Sequence, residues 1–398
     1  MKVPDKARIA DVIEVADGIH LRTDFPSGAV RFESFNAETG ALRVHPIQDD
    51  RFGLEAWWHF QLEGSLPVPA IDLQIIGGSS RGGVSWAQPA RIAYSATPEK
   101  PSSWRLAVRG NRVMSNGIQH VSYRVPVRGD VLAIAYALPY VPANQRRLFL
   151  DLGKLEPKAD FMELSRTPED HPVMAVTLPC TSAKPTKKIW VQARAHAFES
   201  GASWVSDSLA RWLVSDDRPA VMLRAMADIT IVPIIDVDSV IEGRSGKMQK
   251  PRDHARDWDD QPLWSATRGI MAALERESGE AALDLFIDIH GPGRSAMYAF
   301  VTRPDKLAVP NADRAAFFIG AGMQPWPRNG QADPNVFYYH AGPAKPTTPR
   351  VWAETRQPPA IGMALEVAME TDDSDLSGYT RQAILLGRSI SRDYTKGP

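Results

Sequence analysis

The 398-residue sequence contains a single cysteine, Cys180. A lone thiol excludes an internal disulfide and fits a reducing compartment. Within L-P-C-T it has no partnering signature and reads as a buried structural thiol. No apolar run approaches the roughly 18 residues needed to cross a bilayer. The opening residues, M-K-V-P-D-K-A-R, lack the apolar stretch of a signal peptide. Excess charge is missing too. With 46 basic and 47 acidic residues the formal net charge is −1, so no global field draws nucleic acid or an anionic membrane. A soluble, cytoplasmic protein with neither as a partner is expected. Internal repeats, heptads and low-complexity tracts are absent. G-R-S-G-K at residues 243–247 lacks the spacing of a phosphate loop and the Ser or Thr that should follow.

What is present is an ordinary globular composition, 43% apolar and 23% charged. The length allows two domains. Residues 1–140 carry short segments of period near two, such as A-V-R-F-E-S-F from Ala29 and W-W-H-F-Q-L-E from Trp57, separated by Gly-rich turns. This pattern predicts an antiparallel β-sandwich, with Trp57, Trp58 and His59 in its core. Residues 141–398 alternate apolar strands with helices. Strands are predicted at Ile189-Trp-Val-Gln-Ala, Ile229 to Ile235, Leu285 to Ile289 and Ala360 to Glu366. Helices are predicted over Ser203 to Val214 and Pro262 to Glu277, with a short closing one at 387–394. The expected fold is an α/β domain whose mixed central sheet is flanked by helices.

Polar groups gather where these strands end. His196 and Glu199, in A-H-A-F-E, have the spacing H-x-x-E, which lets one imidazole and one carboxylate meet on a single Zn²⁺. A catalytic zinc takes three protein ligands and leaves a position for water. His290, in D-I-H-G, also ends an apolar strand and is the candidate third ligand. Asp236 and Asp238 close another strand. Sites in open α/β sheets lie just past the carboxyl ends of strands. Five cations follow in thirteen residues (Arg244, Lys247, Lys250, Arg252 and Arg256) and are suited to an anionic substrate group.

Taken in order, these segments resemble the zinc metallocarboxypeptidases, specifically the cytosolic carboxypeptidase branch. A-R-A-H-A-F-E-S-G-A-S-W at residues 193–204 is similar to the family's A-R-x-H-x-x-E-x-x-x-S-W. V-P-I-I-D-V-D-S-V-I-E-G resembles V-P-x-x-N-P-D-G-V-x-x-G, and D-H-A-R-D-W at 253–258 stands where D-L-N-R-x-W is expected. D-I-H-G matches D-x-H-G, Leu365-Glu366 matches the strand end bearing the catalytic glutamate, and A-Y-A-L-P-Y at 135–140 resembles the end of the branch's N-terminal sandwich. The resemblance implies one zinc per chain on His196, Glu199 and His290, with Glu366 as general base. It implies Arg256 as the grip on a peptide's terminal carboxylate. Glu370 is a poorer candidate base, and Tyr338 or Tyr339 could supply the family's mobile tyrosine. The sequence departs from the pattern at Ala255, where an asparagine helps hold the carboxylate, and at Gly246, where an arginine polarises the scissile carbonyl. Lys247 or Arg244 could substitute there. Asp288 either hydrogen-bonds a ligand or points to the other face of its strand.

The function implied is removal of C-terminal residues from peptides or proteins, with a preference for acidic ones suggested by the basic loop. Two alternatives stand beside it. One is a zinc amidohydrolase on the same scaffold, acting on a small acylated amino acid or a cell-wall-type peptide. The other is a non-catalytic, zinc-containing peptide-binding protein.

Overall fold

The computed structural model describes residues 12–47, 53–78, 80–81, 84–115, 118–182, 184–276, 282–293, 297–300, 347–356 and 358–395. By internal packing the chain divides into two units. The first is Met1–Pro139 with Ser239–Lys250, and the second is Tyr140–Asp238 with Pro251–Pro398.

Two sheets make up the first unit. One runs β1 (Val12–Ala16), β2 (Ile19–Arg22), β5 (His59–Glu63), β13 (Val131–Ala135), β9 (Ala93–Ser95), β10 (Arg105–Leu106). The other runs β11 (Asn111–Ser115), β12 (Ile118–Pro126), β6 (Ala70–Ile76), β4 (Ala41–His45), β3 (Arg31–Asn36), and β7 (Ser80–Arg81) and β8 (Val84–Ser85) form a separate ribbon. Alternation explains the core. In β6, Ile71, Leu73 and Ile75 are fully buried while Asp72 and Gln74 are half-buried. The pairing is not purely antiparallel, because β4 and β6 run parallel. The chain visits β5 in the other sheet between them, and that crossover lets the two strands share a direction. The segment 239–250 is bound into this unit, since Ser27 N–H donates to Ile241 O at 2.9 Å and Leu54 N–H to Lys247 O at 2.9 Å.

Trp57, Trp58 and His59 are buried here, as expected. His59 Nδ1 lies 2.9 Å from Ser27 Oγ, while Nε2 has no hydrogen-bond partner among the described residues. Phe25, Trp57 and Trp104 surround the ring. Burial pushes the His59 pKa down to about 3 from the ordinary 6.5. As pH falls below 6.5 the unfolded chain therefore takes up a proton that the folded chain refuses, and stability is lost progressively down to pH 3. The slope is about 1.4 kcal/mol per pH unit from this group. Thermal melts between pH 7 and 5 are expected to fall more steeply for the wild type than for His59→Asn. Parallel curves would remove His59 from the account of acid stability.

The second unit is built on one sheet, ordered β14 (Asp160–Arg166), β15 (Pro172–Leu178), β17 (Ala227–Val232), β16 (Lys187–Ala193), β18 (Leu283–Gly293), β20 (Ile361–Ala368), β19 (Tyr298–Phe300). Its four central strands are parallel, and β14, β15 and β19 add antiparallel edges. The mixed sheet matches the expectation. Its helices are α1 (Pro142–Leu155), α2 (Ser200–Leu213), α3 (Arg218–Arg224), α4 (Val237–Glu242, where the chain passes back to the first unit), α5 (Ser265–Arg276), α6 (Pro349–Thr355) and α7 (Leu376–Thr395). In β16 every residue from Ile189 to Ala193 is buried, as central strands covered on both faces require. Every residue of α2 except Arg211 is buried too.

Several boundaries differ from the sequence reading. The hairpin β14–β15 was not predicted. Strand β17 stops at Val232 because Pro233 has no N–H for the ladder. Helix α7 begins eleven residues earlier than expected. Gly387 is needed within it, since a Cβ there would lie 2.2 Å from the Trp212 ring. Cys180 is half-buried rather than buried, its thiol donating to Ala225 O at 3.3 Å.

Candidate active site

The site forms where β16 and β18 end. After Ala193 the chain turns through Arg194, whose φ of +66° lies in the left-handed region. Such a turn in a non-glycine residue needs support, and its side chain provides it. The buried guanidinium donates to Ala197 O at 2.7 Å, Tyr140 O at 3.1 Å and Ser203 Oγ at 3.3 Å. Backbone bonds from Ile235 N–H to Ala193 O and from Asp236 N–H to Arg194 O, each 3.1 Å, fix the other side. Burial draws the Arg194 pKa down to about 9, opposed by the charges of Glu199 and Asp236. The group remains cationic at neutral pH.

The turn delivers His196 and Glu199. Glu199 occupies the N-cap position of α2, but its carboxylate makes no capping bond. It is directed at the two imidazoles instead. His196 Nδ1 lies 2.9 Å from Glu199 Oε1, and His290 Nδ1 lies 2.9 Å from Glu199 Oε2. The rings are 4.8 Å apart at 46°. All three residues are buried, and one ligand atom from each falls within 4.8 Å of the others. Among the described residues it is the one such group.

Two nitrogens and a carboxylate oxygen form a donor set suited to zinc. Electrostatics agree with a cation here. Burial acts to lower the His290 pKa, but the charges of Asp288 and Glu199, and hydrogen bonds to both, hold it well above the ordinary value. His196, Glu199 and His290 would hold a metal ion, whose positive charge would take the place of that proton. The residues therefore fit the group.

Glu366 is the register partner of His290 across the parallel β18–β20 pair. In-register residues project to the same face, so Glu366 shares the face of Asp288 and His290. It is half-buried. Glu370 lies two residues past the end of β20 and is buried. Arg256 ends a 3-10 turn, His254–Arg256. Its Nη1 is 3.3 Å from His196 Nε2 and 3.7 Å from Asp253 Oδ1, and its side chain is 54% exposed. Ala255 is buried and brings no polar group.

Arg244 and Lys247 are not in this unit. They belong to Ser239–Lys250 of the first, where Lys247 Nζ lies 5.5 Å from the centre of the Trp86 ring. Gly246 has φ +70°, a conformation in which an arginine would be strained. Tyr338 and Tyr339 lie outside the described residues.

Two residues near the ligands were not anticipated. Asp253 Oδ2 approaches His196 Nε2 to 3.5 Å. Gln192 Nε2 donates to Asp288 Oδ1 at 3.1 Å. The available signal for Gln192 was one polar residue inside I-W-V-Q-A. Asp288 bonds a ligand, with Oδ2 2.6 Å from His290 Nε2.

Over 95% of this chain and 99% of the other, the structure superimposes on a metallo-carboxypeptidase from Burkholderia cenocepacia with a TM-score of 0.75 at 18% identity. The fold is that of the metallocarboxypeptidases. A Pseudomonas aeruginosa metallo-carboxypeptidase, solved with (2-guanidinoethylmercapto)succinic acid, gives a TM-score of 0.72 at 17% identity over 94% of this chain and 98% of that one. In sequence, the chain is 24% identical to zebrafish (Danio rerio) cytosolic carboxypeptidase 2 over 262 residues, 60% of this chain and 36% of the relative. The matches span about a third or less of the length of the curated relatives, all of them cytosolic carboxypeptidases. No protein-family model matches. Within the metallocarboxypeptidase fold, the buried His-Glu-His group lies at the carboxyl ends of adjacent parallel strands.

Proposed function

We propose that the chain is a zinc-dependent carboxypeptidase that hydrolyses the C-terminal peptide bond of peptides or proteins. The observation carrying this reading is the convergence of His196, Glu199 and His290 at the strand ends of a metallocarboxypeptidase fold. These three residues would hold one zinc ion. When bound, zinc polarises a scissile carbonyl and makes a water acidic enough to act as a nucleophile. Glu366 accepts the attacking water's proton and returns it to the leaving amine, acting first as general base and then as acid. Arg256, half-exposed and beside the His196 ring, binds the terminal carboxylate through two parallel N–H groups. A preference for acidic C-terminal residues is proposed on the basic run of the sequence from Arg244 to Arg256. Arg252 is already committed to Asp257 and Asp259. No helix among the described residues is long and apolar enough to cross a membrane. A cytoplasmic location is proposed from the lone cysteine and the cytosolic relatives.

Elemental analysis is expected to find about one zinc per chain in the wild type and little in His196→Ala. A peptide with a free C-terminus should be trimmed while its amidated counterpart is spared. A wild type that takes up no supplied zinc would overturn the reading. One second reading has support. Buried Ala255 and the left-handed Gly246 supply no polar group where the resembled family anchors its substrate, which favours a zinc amidohydrolase acting on a small acylated amino acid. Equal turnover of free and amidated peptides, or turnover of acyl amino acids alone, would select it.

A further inference from the structure

The structure assigns a positioning role to a buried relay beneath the ligands, in which Trp190, Gln192 and Asp288 fix the orientation of the His290 ring. The inference rests on the metal site proposed above.

Gln192 and Asp288 are register partners on the parallel strands β16 and β18. These two strands also deliver the His196 turn and His290. Trp190 Nε1–H donates to Gln192 Oε1 at 3.3 Å, Gln192 Nε2–H donates to Asp288 Oδ1 at 3.1 Å, and Asp288 Oδ2 meets His290 Nε2 at 2.6 Å. Trp190, Gln192 and Asp288 are each 1% exposed or less.

An amide and a carboxylate in the middle of a parallel sheet are costly to bury, and apolar residues would fill the space more cheaply. Here each carboxylate oxygen has a partner, so the group is held in one orientation. That orientation has a consequence for the ligand. With Nε2–H donated to Asp288, the other ring nitrogen, Nδ1, is left directed at Glu199 and the metal position. The carboxylate also raises the electron density of the imidazole, which strengthens it as a donor. Gln192 prevents Asp288 from rotating away. Its Oε1 is in turn held by Trp190, which fixes which end of the amide faces the carboxylate. The rung thus sets both the tautomer and the angle of His290 from within the sheet.

The test compares wild type, Asp288→Asn and Gln192→Met by three readouts. These are zinc affinity from competition with a chromophoric chelator, the visible absorption of cobalt(II)-loaded protein, and the melting temperature without metal. Asp288→Asn is expected to weaken zinc roughly 10–100-fold and to shift the cobalt bands. Gln192→Met should change both in the same direction by less. Wild-type zinc affinity and an unaltered cobalt spectrum in both variants, with only the metal-free melting temperature lowered, would reduce the relay to packing and leave the metal site standing. A wild type that binds neither metal would sink the metal site and the relay together. If Asp288→Asn does not fold, Gln192→Met decides alone, because it removes the amide and leaves the carboxylate in place.

Discussion

Glu366→Gln is expected to keep its zinc and lose its catalysis, with kcat falling about 10²–10⁴-fold. Glutamine fills the same space but cannot take a proton from water. Glu366 is not one of the three clustered ligands, so metal content should stay near that of the wild type. Its position explains why the proton transfer should depend on it, since it is the cross-strand partner of His290 on the same face. KM should change little, because terminal-carboxylate binding is assigned to Arg256. Steady-state kinetics beside zinc analysis checks both halves. A Glu366→Gln enzyme with wild-type kcat would move the general base elsewhere, and buried Glu370 would be the next residue to substitute.

The largest loss of stability is expected at Arg194. Arg194→Met should cost about 3–5 kcal/mol, the range for removing one partner from a buried, hydrogen-bonded charged set. The substitution strips a donor from Ala197 O and Tyr140 O. It also removes the cation that offsets the buried carboxylates of Glu199 and Asp236. Arg194→Lys restores the charge without the planar fork and should fall between the two. Denaturant unfolding of the metal-free proteins gives the figure. A cost below about 1 kcal/mol, the worth of a typical net hydrogen bond, would mean that the backbone bonds at Ala193 and Arg194 hold the turn unaided.

The gathering of His196, Glu199 and His290 was legible because these residues sit at strand exits, where chain order and spatial position agree. H-x-x-E and D-x-H-G each follow an apolar run, and parallel strands bring those runs together in register. The hairpin of β14 and β15 was harder to see. D-F-M-E-L-S-R alternates weakly and lies at the sheet edge, where no apolar face is enforced. Helix α7 was hidden by Gly378 and Gly387, and the reason for the second, the Trp212 ring, comes from a distant part of the sequence. Gln192 and Asp253 could not be assigned because a single polar residue reveals nothing of its partner. Arg244 and Lys247 show the converse limit. They stand within a dozen residues of Arg256 in sequence and belong to a different unit.

The return of residues 239–250 to the first unit bears on how the protein is made. A ribosome that has released Pro139 has not yet supplied the carbonyls of Ile241 and Lys247, to which Ser27 and Leu54 donate. About 100 further residues must emerge first, a delay of roughly 5–20 s at ordinary elongation rates. Throughout that interval the nascent sandwich carries unmatched amides, and its completion is tied to synthesis of the neighbouring unit. A gene fragment ending at residue 139 should accordingly yield a product that recruits chaperones or aggregates, where one supplied with residues 239–250 in trans has the missing acceptors.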